Sequence, residues 1–231
     1  MKVNKNRDNQ ADNELSYYTD APVMEAYRIL RTNIEFSSSV QKTQVLLITS
    51  SLQGEGKSTT VANLARAFAY AGTKTLIIDL DLRRPVQHKI HSIGDTVGIS
   101  EVIVGKATCE EAIHTTDMDK LHILPCGYRP PNPVEMLSTP KLTEIITSLR
   151  EQYDIIIIDT PPINLLADAA ILTKSADASI LVVSAGYTEV DDMKMALDIL
   201  QRSGTRLIGT VLNKVTRQSS SYKHRYYSYD Y

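Results

Sequence analysis

Lys57 and Ser58, preceded by Gly54-Glu55-Gly56 and followed by Thr59, have a spacing suited to phosphate chemistry. The segment Ser51 to Ser58 reads S-L-Q-G-E-G-K-S. Backbone amides of such a loop, and of the helix it opens, face phosphate oxygens, with Lys57 as a point charge and the Ser58 hydroxyl as a magnesium ligand. Ser51 replaces the first glycine of the general pattern, so the match rests on Gly56, Lys57 and Ser58. Two further runs end in carboxylates: L-I-I-D-L-D-L-R carries Asp79 and Asp81, and I-I-I-I-D-T-P-P carries Asp159. In extended chain, residues i and i+2 point the same way, so Asp79 and Asp81 are expected to face one metal and one nucleotide. A carboxylate at the place of Asp159 can hold magnesium directly or through water. A single aspartate at a strand end suits a turn or a helix cap, but three beside a phosphate loop mark a functional site. Near the end of the chain, V-L-N-K places Asn213 just past a strand, where its amide could pair with adenine or simply form a turn. The guanine-reading pattern Asn-Lys-x-Asp fails at Thr216.

The elements that must position these residues are short apolar runs: Val45 to Thr49, Thr75 to Asp79, His122 to Leu124, Ile155 to Asp159, Ser179 to Ser184 and Leu207 to Leu212. Helical patterns separate most of them, as in Val61, Leu64, Ala65 and Phe68, with Gly72 placed to stop that helix. A further helix is predicted from Val23, with Pro22 at its start and Ala26, Ile29, Leu30 and Ile34 as its apolar stripe. Continuous apolar strands alternating with helices predict an α/β fold, a P-loop NTPase with a mostly parallel twisted sheet covered on both faces. Ligands of such sheets lie beyond the carboxyl ends of the strands, where the polar motifs fall.

The 231 residues suit one domain spanning 21–215, with an arm at 1–20 and a tail at 216–231. The formal charge of -2 gives no global field for nucleic acid or an anionic membrane. Cys109 and Cys126 lack metal-type spacing and suit a reducing compartment. No secretory signal pattern and no long apolar run is present, so a cytoplasmic chain is expected unless a partner tethers it. His88 and His91 have helical spacing but no third ligand nearby. The tail has no aliphatic residue beyond Thr216 and holds Tyr222, Tyr226, Tyr227, Tyr229 and Tyr231, five of the chain's twelve tyrosines. Tyr17 and Tyr18 suit a solvated arm better than a further pair of phosphate acceptors. Glu25, Arg28 and Arg31 lie at i, i+3 and i+6, near enough to share a helix face as a salt bridge or a docking surface.

With these residues in view, the sequence resembles the bacterial tyrosine kinase (BY-kinase) family, in the split, cytoplasmic form found in Gram-positive bacteria. The resemblance runs from Pro22 to Tyr231. It rests on the phosphate loop, the Asp79-Asp81-Arg83 segment, Asp159-Thr160-Pro161-Pro162, the E-A-Y-R-I-L-R helix and the terminal tyrosines. The P-P-N-P run from Pro130 to Pro133 is also family-like and reads as a rigid loop. The resemblance implies a MinD/ParA-like fold and transfer of the terminal phosphoryl group of ATP, with Mg2+, to tyrosines of the tail and of other proteins. Lys57, Asp79, Asp81 and Asp159 would be the catalytic set, with Asp79 orienting or deprotonating the phenol. Glu25, Arg28 and Arg31 would join subunits into a ring. A transmembrane activator of the polysaccharide co-polymerase type, a protein-tyrosine phosphatase and protein substrates would be its partners, in control of capsule or exopolysaccharide export. Two rival readings share the nucleotide pocket: a partitioning or cell-division ATPase switch, and a scaffold whose tyrosines serve another kinase. The switch proteins carry a second lysine where this chain has Leu52, and often an amphipathic terminal helix that this tail lacks.

Overall fold

The computed structural model describes residues 21–94 and 96–215. The arm, the tail and the tyrosines of both lie outside the described residues. Seven strands and nine α-helices alternate along the rest. They are α1 (Ala21–Val40), β1 (Val45–Ser50), α2 (Lys57–Tyr70), β2 (Thr75–Asp79), α3 (Gln87–Ile90), α4 (Ile99–Ile103), α5 (Cys109–Ala112), β3 (His114–Thr115), β4 (Leu121–Leu124), α6 (Pro133–Leu137), α7 (Pro140–Leu149), β5 (Ile155–Asp159), α8 (Asp168–Leu172), β6 (Ala178–Ser184), α9 (Val190–Arg202) and β7 (Leu207–Asn213). A 3₁₀ turn, Thr173–Ser175, extends α8.

The sheet order is β3-β4-β2-β5-β1-β6-β7. All pairings are parallel except the short β3–β4 ladder. All six expected strands are present, and β3 is an addition: two residues flanked by polar chain give no period to read. Alternation within each strand divides the core. Leu46, Ile48, Ile77, Ile155 and Ile157 pack beneath α1 and α2, whereas Val45, Leu47, Leu76, Ile78, Ile156 and Ile158 pack against residues of α4 to α7. Leu181 and Val183 of β6 bury Ala196 and Leu200 of α9.

The stripe of α1 is rotated from its predicted place. Val23, Tyr27, Leu30 and Ile34, at i, i+4, i+7 and i+11, turn inward, while Ala26 and Ile29 are exposed. Tyr27 packs, partly buried, against the core cluster of α2 and the sheet, and burial pushes its phenol pKa above the ordinary value against hydrogen bonds with Thr60 and Asn63. Gly72 stops α2 as predicted, at φ 88°, a conformation that favours glycine. Of the P-P-N-P run, Pro133 opens α6, where its missing N–H costs nothing.

Candidate active site

Five adjacent strands, β2, β5, β1, β6 and β7, bring their carboxyl ends to one edge. Between β1 and α2 the chain turns through Gly54 and Gly56 at φ 84° and 89°. Gly56 leaves the start of α2 without a side-chain cap, so the first amides of a fourteen-residue helix remain available to an anion. A Cβ on Gly56 would fall 2.1 Å from the Asn213 amide nitrogen, so the close approach of β7 also requires glycine there. Ser51, in place of the first glycine, is fully buried.

The loop is held from the side of β6 and β7. Glu55 is fully buried; its Oε2 accepts the Leu52 N–H at 2.7 Å and its Oε1 accepts the Thr188 hydroxyl. Thr188 Oγ1 in turn accepts the Ser184 N–H at 2.8 Å. Asn213 Nδ2 donates to the Glu55 carbonyl at 2.9 Å, and Lys214 Nζ to the Gly54 carbonyl at 2.6 Å. The Asn213 Oδ1 accepts the Lys214 N–H at 2.8 Å. Asn213 thus braces the phosphate loop through the donor end of its amide, while the acceptor end closes on the backbone of Lys214. The Glu55 side chain likewise shapes the loop, which leaves only backbone there for phosphate.

On the other side lie the carboxylates. Parallel register sets Asp79 beside Asp159, and the Leu80 N–H donates to the Asp159 carbonyl at 2.9 Å. Lys57 Nζ lies 3.0 Å from Asp81 Oδ2, 3.3 Å from Asp159 Oδ1 and 3.1 Å from Ser58 Oγ. Burial depresses the Lys57 pKa, but the carboxylates of Asp159 and Asp81 outweigh it and hold the ammonium above its ordinary value. Lys57, Ser58, Asp81 and Asp159 are therefore brought together as expected.

Asp79 departs from expectation. Strand β2 ends at Asp79 itself, so the i, i+2 rule no longer governs Asp81. The Asp79 side chain is fully buried and folds the turn that follows: Oδ1 accepts the Asp81 N–H at 3.2 Å, and Oδ2 accepts the Val86 and Gln87 N–H groups at 3.0 Å each. Burial, joined by the charge of Asp159, raises its pKa well above the carboxylate range.

Three residues here escaped the sequence analysis. Gln87, eight positions past Asp79, is fully buried and donates from Nε2 to Asp159 Oδ2 at 2.7 Å and to the Ser58 carbonyl at 3.1 Å. Asp168, fully buried at the start of α8, accepts the Arg83 guanidinium at 2.9 and 3.2 Å, tying the segment after β2 to that after β5. Thr188 is the third; that it follows β6, a strand ending at the same sheet edge, was the available signal.

The helix expected to join subunits is divided. Glu25 and Arg28 pair at 3.2 Å with both side chains more than half exposed. Arg31 turns inward, donating to the Ala67 carbonyl of α2 at 3.3 Å and pairing with Glu35 at 3.5 Å. The three do not form one free surface, because a six-residue separation is 240° around a helix and leaves Arg31 over α2.

As a magnesium site the donor set fits. Two carboxylates and a hydroxyl surround one ammonium, and these oxygens are hard ligands suited to magnesium. Among the described residues no group of three or more His, Cys, Asp and Glu forms a metal cage. This agrees with magnesium's habit of taking one or two carboxylates and completing its shell from phosphate and water.

A phosphate loop at the switch point of a parallel sheet, facing carboxylates on the neighbouring strands, defines a P-loop ATPase. A family model described as an AAA domain matches residues 43–207. Tyrosine-protein kinase YwqD of Bacillus subtilis (strain 168) is 40% identical over 215 residues, covering 92% of this chain and 91% of the relative. The kinase domain of Escherichia coli tyrosine kinase ETK superposes with a TM-score of 0.84 at 30% identity, over 93% of this chain and 84% of that one. The septum site-determining protein MinD of Pyrococcus horikoshii OT3, complexed with Mg-ADP, gives a TM-score of 0.65 at 32% identity, over 77% and 72% of the two chains. The chain belongs to the bacterial tyrosine kinase family.

Proposed function

We propose that the chain transfers the terminal phosphoryl group of ATP to tyrosine hydroxyls, first those of Tyr222, Tyr226, Tyr227, Tyr229 and Tyr231 on a neighbouring subunit and then those of other proteins. The observation that carries this reading is the convergence of Lys57, Asp81, Asp159 and Ser58 at the mouth of the phosphate loop. Gly54, Gly56 and the amides of Lys57, Ser58 and Thr59 hold the phosphates. Ser58, Asp81 and Asp159 would hold Mg2+, the serine as a direct ligand and the carboxylates mainly through water. A metal held there would offset the negative charge of the phosphates. Lys57 leaves its carboxylate partners for the phosphate, steadying charge as the group transfers.

A tyrosine of ordinary pKa near 10 costs about 4 kcal/mol to ionise at pH 7, which a positioned carboxylate largely avoids. The raised pKa of Asp79 suits a base, but its enclosure by three N–H groups does not. We therefore assign orientation of the phenol to Asp81 in this arrangement, and the framing of the turn at 80–87 to Asp79. Glu25 and Arg28 supply the exposed part of the contact between subunits, with Arg31 seating the helix that carries them.

No helix among the described residues is long and apolar enough to cross a membrane. The proposal places the chain at the cytoplasmic face of the membrane through a transmembrane activator that improves ATP binding. A protein-tyrosine phosphatase resets the tail, and control of capsule or exopolysaccharide synthesis is the role. Each phosphate adds about -1.5 to -2 charges, so a modified tail withdraws from a site lined with aspartates and the ring loosens. Incubating purified chain with ATP and Mg2+, with and without an activator segment, tests the reading. Phosphotyrosine on the tail, lost in Lys57→Met, supports it; phosphate release without phosphotyrosine assigns the chain to the switch ATPases.

A further inference from the structure

Gln87 stands out among buried polar side chains because it joins three pieces of the site at once. Its backbone N–H supports Asp79 Oδ2, and its Nε2 spans Asp159 Oδ2 and the Ser58 carbonyl at 2.7 and 3.1 Å. Both amide hydrogens are thereby used. A reversed amide would set Oε1 against a carboxylate and a carbonyl, three acceptors together, so the orientation is fixed. The remaining atom, Gln87 Oε1, is buried and has no hydrogen-bond partner. An acceptor left unsatisfied in the interior costs about 1–3 kcal/mol, which a donor arriving with the ligand removes.

Asp159 shows the complementary division. One oxygen faces Lys57 at 3.3 Å and the other faces Gln87, so the plane of the carboxylate is set from both sides. Ser58 offers its hydroxyl to the same site while its carbonyl is held by Gln87. The spacing of two groups read as magnesium residues is therefore fixed through a single amide, as outer-shell partners fix metal ligands elsewhere.

We propose that Gln87 is a positioning residue for phosphoryl transfer, orienting Asp159 relative to Ser58 through Nε2 and accepting, at Oε1, a hydrogen bond from a water of the magnesium–nucleotide complex. This rests on the reading of Ser58 and Asp159 as magnesium residues. A glutamine that merely packs α3 against α2 would affect folding and nucleotide binding alike, with or without metal; a positioning residue affects the metal-dependent part selectively.

The test is calorimetric titration of the full chain with ADP, in excess Mg2+ and in EDTA, for wild type, Gln87→Met and Gln87→Asn. Methionine keeps the volume and loses both polar functions; asparagine keeps the amide but draws it back out of reach. The expected result is an unchanged affinity in EDTA and a magnesium-conferred gain reduced about 10- to 100-fold in both variants. Thermal melting in EDTA checks that each is folded, and if the methionine variant does not fold, asparagine decides. Variants that keep the full gain overturn the proposal, as does an equal loss in EDTA. A wild type with no gain from magnesium would instead overturn the assignment of Ser58 and Asp159, and this proposal with it.

Discussion

At the amino end of the sheet, Asp177 stands just before β6 with both oxygens answered. Oδ2 accepts the N–H groups of Gln44 and Val45 at 2.8 and 2.7 Å, and the Arg150 guanidinium binds both oxygens at 2.8 Å. At the carboxyl end, Asp81 and Asp159 share the single ammonium of Lys57, and Asp79 feels its charge without touching it. Burial raises the pKa of both Asp177 and Asp79, but at Asp177 the Arg150 and backbone hydrogen bonds win and the pKa falls, whereas at Asp79 burial and Asp159 prevail and it rises. One residue type at two ends of the same strands is scaffold where donors match acceptors. Where carboxylates outnumber cations, it makes a site whose charge a divalent ion offsets.

Matched deletions of the two cations should break the comparison most visibly. Lys57→Met is expected to lower tail phosphorylation about 10³-fold. Arg150→Met should leave the transfer rate unchanged and cost about 2 kcal/mol in urea unfolding, since it strands a partly buried carboxylate. If Arg150→Met also abolished transfer with the fold intact, the two ends would not act separately.

Within the site, Asp81→Asn should slow transfer about 10²-fold with the urea midpoint preserved. Asp79→Ala, which leaves three N–H groups, two of them buried, without an acceptor, should cost about 2–3 kcal/mol of stability. A reversed outcome, with Asp79→Ala stable but inactive and Asp81→Asn nearly unaffected, would restore the phenol to Asp79.

The strands were legible because each is buried on both faces and reads as an unbroken apolar run, as in Ile155–Asp159. The phosphate loop was legible because local chain geometry demands its glycines and lysine in order. Gln87 was not, since its partners lie 29 and 72 residues away and are chosen by how the turn after β2 folds around Asp79. The hydrogen-bond partner of the Asn213 amide is hidden for a similar reason: its place at the strand end is legible, but the partner depends on the closeness of β7 to Gly56. The helix bearing Arg31 shows the limit of spacing arguments. Offsets of three and six suggested one face, and docking on α2 decided which member faced inward.

The smallest expected effect separates the ends by their response to acid, measured by urea unfolding in EDTA. Asp79 has a folded pKa above its unfolded value near 3.8, so the folded state takes up the proton first and Asp79 favours folding increasingly as pH falls through that window. Asp177 has a folded pKa below 3.8, so its contribution is complete above the unfolded value and is lost as pH falls through the folded one. The stability of wild type relative to Asp79→Asn should therefore grow between neutral pH and about 4. Relative to Asp177→Asn it should hold steady at about 1 kcal/mol over that range and close only in stronger acid. Two difference curves with the same slope in that window would mean that the carboxylates at both ends are equally satisfied, and the excess negative charge at the strand tips would no longer explain why a cation belongs there.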